Sequence, residues 1–392
     1  MRSGLSVGRI AGIQIQLDWS LLLIFGLITV VLGTGVFPTW HPDWSTVLVW
    51  TTAFSASFLF FVSVLLHELS HALVGRRFGA KVPRITLFLF GGMAHLEREP
   101  KTWKAEFWMA IVGPIASFAI GFLCLFLSGV VAGVDGEDFD SPQQFLGALG
   151  PVPTMLLWLG SINIILALFN MVPGFPLDGG RVLRAIIWGA TGNQHKATRW
   201  AASAGQAFAW ILIASGIAMI FGATVPVFGT GTVNGLWIAF IGWFLNNAAM
   251  MSYQQMTMQE SLDRVPVSQI MQHDIVTLAP DTHLQILADD YVLRSSQRCF
   301  PVESDKILKG LVCLEDLRRT LASERSQKSV ADIMTPTEQL KTVQPDDDAA
   351  EAFQLLGSSD INQLPVLKQG RLVGLLTREN LMRWLALNQK HQ

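Results

Sequence analysis

Residues 44–71 read WSTVLVWTTAFSASFLFFVSVLLHELSH. From Trp44 to Leu66 there is no charged side chain. A helix needs about 20 apolar residues to cross a bilayer, so this stretch reads as a membrane span. It ends in His67-Glu-Leu-Ser-His71. Helix positions i and i+4 share one face, a turn apart, so His67 and His71 offer two imidazoles to one zinc ion. Glu68 stands beside the first of them. In H-E-x-x-H enzymes that glutamate takes the proton from a zinc-bound water. Ionisable groups at the end of such a span are costly unless they do something, which weighs against a chance pair of histidines.

The rest of the composition agrees with a membrane protein. Of 392 residues 51% are hydrophobic and only 15% charged, a balance outside the soluble range. The net charge of −2 gives no sign of a nucleic-acid surface. Cys124, Cys299 and Cys313 are scattered, so neither a disulfide framework nor a cysteine zinc site is expected. Apolar segments at about 19–37, 44–74, 107–131, 153–171, 201–221 and 233–251 give six transmembrane helices. The last two are divided by the turn-rich stretch 222–234. Arg76 to Lys104, and Arg181 to Arg199, put basic residues in alternate loops, whereas the loop at Asp135–Asp140 is acidic. The positive-inside rule then places both termini, and the histidine end of the second span, in the cytoplasm.

Two stretches alternate like β-strands: Ile13-Gln-Ile-Gln-Leu-Asp18 and the run from Lys81 to Glu97. They read as short strands near the membrane. They serve either as an edge for an extended peptide or as a plain connecting hairpin. His95 in the second run is a further metal-ligand candidate. Past Met258 charge returns, dividing the chain into 1–257 and 258–392. The second part repeats itself, with units at about 264–322 and 328–388. Val267-Ser-Gln-Ile-Met271 recurs as Val330-Ala-Asp-Ile-Met334, and Gly310–Leu317 recurs as Gly374–Leu381. Two α/β units packed face to face are expected.

Two histidines leave a catalytic zinc one protein ligand short. The best candidate follows the fourth span, in Asn170-Met-Val-Pro-Gly-Phe-Pro-Leu-Asp178-Gly-Gly-Arg181. Its prolines and glycines stop a helix and turn the chain back, which puts Asp178 level with the histidines. An Asp-Gly turn outside the membrane is the plainer alternative.

These residues together resemble the site-2 protease family of intramembrane zinc metalloproteases. That family pairs H-E-x-x-H with an N-x-x-P-x-x-P-x-D-G-type motif, here Asn170 to Gly179. Val112-Gly113-Pro114-Ile-Ala-Ser117 is similar to a small Gly-Pro motif of the same family. Six spans followed by a cytoplasmic tandem repeat resemble the bacterial and archaeal branch that carries a CBS pair. The resemblance implies zinc on His67, His71 and Asp178, Glu68 as general base, and Asn170 as a partner for the substrate carbonyl. Asn170 could equally fasten the end of its helix. The implied activity is endopeptidase cleavage of membrane-embedded or membrane-associated protein substrates.

The resemblance also implies an adenine nucleotide as regulator. In the pattern G-h-x-[T/S]-x-x-[D/N], Thr377 and Asn380 fit in the second repeat. In the first, Asp316 fits but Cys313 stands where the hydroxyl belongs. A CBS pair that serves only as a homodimer interface is the other reading. From a different class, a CBS-gated transporter or channel would need polar groups spread along several spans. Here the ionisable groups gather at one end of two.

Overall fold

Asp18 closes a strand and caps a helix, its carboxylate accepting from the Ser20 backbone N–H at 2.9 Å. That junction sets the plan of the membrane part: a small sheet followed directly by long helices. The computed structural model describes residues 4–89, 91–95, 100, 102–133, 141–226, 228–294, 297–304, 307–358 and 361–388. The chain forms two compact units, Met1–Met256 and Thr257–Gln392.

In the first unit, strands β1 (Gly4–Ile10), β2 (Ile13–Asp18), β3 (Arg84–Phe88) and β4 (Gly91–His95) form a sheet in that order. β1 and β2 are an antiparallel hairpin, as are β3 and β4. The two hairpins join through the parallel pair β2–β3, with Ile15 opposite Ile85. Alternation decides which face is buried. Ile13, Ile15, Ile85 and Leu87 form a core with Val64, Leu69 and Ala72. Those three lie on helix α2 (Thr46–Arg77), which carries the H-E-x-x-H residues. The sheet therefore lies against the helix of the candidate site. The expected membrane-associated strands are present, and the Lys81–Glu97 run is a hairpin through His95.

The longer helices are α1 (Trp19–Val31, running on through a wider turn to Trp40), α2, α3 (Trp103–Ala132), α4 (Pro151–Asn170), α5 (Asp178–Thr191), α6 (Gln194–Ile220) and α7 (Thr232–Leu262). Five of them, α1 with its extension, α2, α3, α4 and α6, are long and apolar enough to cross a membrane. The sixth expected span falls on α7, which is not among the five. Asn234, Asn246 and Asn247 dilute its apolar character. The acidic loop Asp135–Asp140, expected outside, lies beyond the described residues. Phe122, Phe126, Trp210 and Ile211 are exposed on the helix bundle, as side chains are where lipid rather than water surrounds them. Inside, α3 and α4 approach closely. A Cβ at Gly160 would fall 2.9 Å from the Gly121 carbonyl oxygen, the small-residue packing of membrane helices.

The second unit confirms the CBS-type α/β pair as two matching hairpins. β5 (Cys299–Ser304) pairs with β6 (Ile307–Cys313), and β8 (Gln363–Lys368) with β9 (Arg371–Thr377). The short β7 (Thr335–Pro336) adds to β6. β6 and β9 meet at Ile307 and Arg371, equivalent positions of the two repeats, as a two-fold relation between them requires. The repeats also exchange segments. Val267, Ile270 and Met271 open the first repeat but pack in the core of the second, with Leu364, Val366 and Leu381. Val330 opens the second and packs in the core of the first.

One expectation is corrected here. Cys299 and Cys313 stand directly opposite on β5 and β6 and form a disulfide, while Cys124 is free and buried. Spacing along the chain does not carry strand register, and register is what brings these two sulfurs together.

Candidate metal centre

His67 and His71 project from α2 on one face. Their Nε2 atoms are 3.1 Å apart. Asp178 Oδ2 lies 3.1 Å from the first and 3.2 Å from the second. Two helical residues four apart give the first pair by geometry alone. The third group arrives by a tightly folded loop. Helix α4 ends at Asn170, and the chain returns through backbone bonds from Gly174 N to Val172 O and Leu177 N to Gly174 O before α5 begins. Phe175 N donates to Ala201 O on α6, and the Phe175–Pro176 peptide is cis. The glycines of this motif are required by contact: a Cβ at Gly179 would fall 2.4 Å from the carbonyl oxygens of both Met171 and Val172. Asp178 is the first residue of α5, where the helix dipole favours an anion. Burial pushes its carboxyl up, but His71 and His67 outweigh burial and hold it well below the usual carboxylate range.

Helix α3 seats both rings. Met109 O accepts from His71 Nδ1 at 2.6 Å, and Ser117 Oγ lies 2.9 Å from His67 Nδ1. Between them Gly113 leaves the room: a Cβ there would sit 2.1 Å from His71 Nε2 and 2.7 Å from His67 Nε2. Pro114 follows inside the helix. A carbonyl only accepts, so His71 Nδ1 carries a hydrogen, which leaves Nε2, facing the Asp178 carboxylate, as the nitrogen that can ligate a metal. Nε2 and Oδ2 at 3.2 Å are held together by a shared proton or by a metal ion between them. Tetrahedral zinc with bonds of about 2.0–2.1 Å sets its ligand atoms about 3.3 Å apart. The three observed separations fit that face of a tetrahedron. His67, His71 and Asp178 form the one group of potential metal donors among the described residues.

Glu68 is adjacent to His67 and lies under β4. A Cβ at Gly92 would fall 2.2 Å from Glu68 Cγ and 3.0 Å from its Oε1. Asn170 is half-buried at the last turn of α4. The His95 side chain lies outside the described part. In the second unit Thr377 and Asn380 cap the last helix, α8 (Arg378–Asn388), with Asn380 Oδ1 accepting from Thr377 Oγ1 at 2.5 Å. Asp316 Oδ2 accepts from Cys313 N at 2.9 Å. The two nucleotide-site candidates thus hold equivalent capping positions, but the Cys313 sulfur is in the disulfide.

Several residues that shape this part of the fold escape a reading of the chain. Met109 acts through its backbone, which no side-chain pattern reveals. Gly92 matters through what it lacks. Asn163, buried in mid-helix on α4, donates to Leu159 O at 2.8 Å. Glu106 on α3 and Arg184 on α5 form a fully buried ion pair. Breaking such a pair by removing one partner costs about 3–5 kcal/mol.

Comparison with known proteins adds to the geometry. A sequence model of Peptidase family M50 matches residues 55–213, and one of the CBS domain matches 267–323 and 330–387. Rip3 of Mycobacterium tuberculosis is 33% identical over 98% of this chain and 93% of its own length. The protein sll0528 of Synechocystis is 32% identical over 98% of this chain and 96% of its own. Both bear zinc metalloprotease names. Among solved structures, the site-2 protease from Methanocaldococcus jannaschii is 25% identical, covering 64% of this chain and 95% of that one with a TM-score of 0.41.

Proposed function

The chain belongs to peptidase family M50 and is a membrane metalloprotease, and on that premise we propose that it cuts membrane-embedded or membrane-associated protein substrates near the cytoplasmic face. The observation that carries this reading is the triangle of His67 Nε2, His71 Nε2 and Asp178 Oδ2 at 3.1–3.2 Å, beside Glu68. These three residues would hold one zinc. Zinc bound there supplies Lewis acidity to the scissile carbonyl and to a water. Glu68 would act as the base that takes a proton from the attacking water and returns it to the departing amine nitrogen. The bond from His71 Nδ1 to Met109 O keeps the ring in the tautomer that turns Nε2 to the metal. Asn170 donates its amide to the carbonyl oxygen as charge develops there.

Substrate enters as an extended segment along β4, the end strand of the sheet, whose backbone passes over Glu68 at Gly92. Strand addition supplies backbone hydrogen bonds without demanding a side-chain sequence. The chain lies in a bacterial or archaeal plasma membrane with six spans, and its basic loops keep both termini in the cytoplasm. Purified full-length protein in lipid should carry about one zinc per chain and cut a single-span substrate. A chelator that strips the metal should stop cleavage, and added zinc should restore it. Cleavage that survives complete zinc removal would overturn the reading.

The CBS pair takes an adenine nucleotide as regulator, mainly at the second repeat, where Thr377 and Asn380 complete the pattern that Cys313 interrupts in the first. It also brings two copies of the chain together. Calorimetry of full-length protein with ATP, ADP and AMP tests the first statement. Asn380→Ala should weaken binding by about two- to tenfold, the worth of one hydrogen bond, and Asp316→Ala by less. No heat with any of the three would leave the pair as a dimer interface alone.

A further inference from the structure

Helix α3 touches both halves of the donor set. Through Met109 O, Gly113 and Ser117 it seats the two histidine rings of α2. One turn before Met109, its Glu106 carboxylate accepts from Arg184 Nε and Nη2. Arg184 stands on α5, the helix that begins with Asp178. It also lies 5.7 Å from the Phe175 ring in the loop leading to Asp178, and its Nη1 donates to Met256 Sδ at 3.0 Å. Both charged side chains are buried, at 0% and 1% exposure. A second close contact binds the same two helices: a Cβ at Gly189 would fall 2.8 Å from the Trp103 ring.

We infer that Glu106 and Arg184 are positioning residues of the metal centre, a buried pair that fixes the Asp178 helix on the helix seating His67 and His71. The inference rests on the proposed zinc site. Its logic is one of distance. His67 and His71 are spaced by their own helix, whatever happens elsewhere. Asp178 has no such guarantee, because it reaches them from another helix by way of a loop. Only a fixed spacing between α3 and α5 keeps Oδ2 at 3.1–3.2 Å from both nitrogens. Apolar packing alone lets helices slide by fractions of an ångström, whereas a charged guanidinium closing on one carboxylate oxygen with both Nε and Nη2 fixes register and angle together. Buried ion pairs contribute little to stability relative to an apolar pair of like volume, and their best-attested use is to specify geometry.

The test separates geometry from stability. Glu106→Leu combined with Arg184→Met removes both charges and leaves no lone ion behind. Full-length parent, this double variant and Arg184→Lys are compared for thermal midpoint, zinc retained against a chelator series, and kcat and KM on a single-span substrate. The double variant should melt within a few degrees of the parent. Its zinc should be lost at about tenfold lower chelator, and kcat should fall about tenfold or more, with KM within about twofold. Arg184→Lys, which keeps the charge but not the fork, should recover only part of the loss. A double variant that folds and matches the parent in zinc retention and kcat would overturn the inference. Should the double variant fail to fold, Arg184→Lys, which keeps the charge pair, decides: looser zinc in a folded protein supports the inference, and parent-like zinc overturns it. A parent that holds no zinc would instead sink the proposed site itself.

Discussion

Replacing Glu68 by glutamine is expected to leave the metal in place and remove cleavage. Glutamine has nearly the same volume, so it fits under β4, where the Glu68 side chain lies against Gly92. It cannot accept a proton at neutral pH. General-base catalysis is typically worth about 10²–10⁴ in rate, so cleavage of a co-expressed single-span substrate should fall by that factor. Zinc content should stay near the parent value, since the donor atoms belong to His67, His71 and Asp178. Residual activity above about one tenth of the parent would exclude Glu68 as the base. Loss of zinc in this variant would make it a ligand instead.

The second large effect comes from a single methyl group. Gly113→Ala puts a Cβ 2.1 Å from His71 Nε2 and 2.7 Å from His67 Nε2, in the space a metal ion needs. Neither ring can retreat freely, because Met109 O and Ser117 Oγ hold the opposite nitrogens. Zinc should be absent from the purified variant, and cleavage should fall at least as far as with Glu68→Gln. Crowding the held rings costs about 1–3 kcal/mol, and the helix itself offsets part of that. Alanine is favoured over glycine in a helix interior by about 0.5–1 kcal/mol, so α3 itself gains. A variant that melts near the metal-free parent yet holds no zinc would show that the methyl blocks the site rather than the fold. Full zinc occupancy would refute the geometry.

How far the sequence reaches depends on whether a feature is local. His67, Glu68 and His71 are legible because a helix alone sets their spacing. Asp178 is legible because prolines and glycines announce a turn at the right membrane level. The alternation in Ile13–Asp18 and in the Lys81 run shows two strands, but not that β2 and β3 pair in parallel. Nothing near Glu106 names Arg184 as its partner, 78 positions away. The disulfide fails for the same reason, since register across a hairpin is not written in a spacing of 14. Helix α5 was hidden for another reason. Arg181 and Arg184 read as loop charges, yet Arg184 is buried and paired. The expected sixth span marks the limit of hydropathy: α7, with its asparagines, is not among the five helices long and apolar enough to cross a membrane.

The parallel pairing of β2 with β3 has a consequence for biosynthesis. Ile15 must wait for Ile85, 70 positions later (85 − 15). At a synthesis rate of 5–20 residues per second, that is a delay of roughly 4–14 s. During it the first hairpin has left the ribosome with its apolar edge unpaired, the state in which nascent strands are prone to mispair. Asp178 comes later still, 111 positions after His67, or roughly 6–22 s at the same rate. Until then the nascent chain displays the histidines and the glutamate but lacks the third donor. A hydrolase assembled in that order stays inert while its first four candidate spans are being threaded into the bilayer beside it.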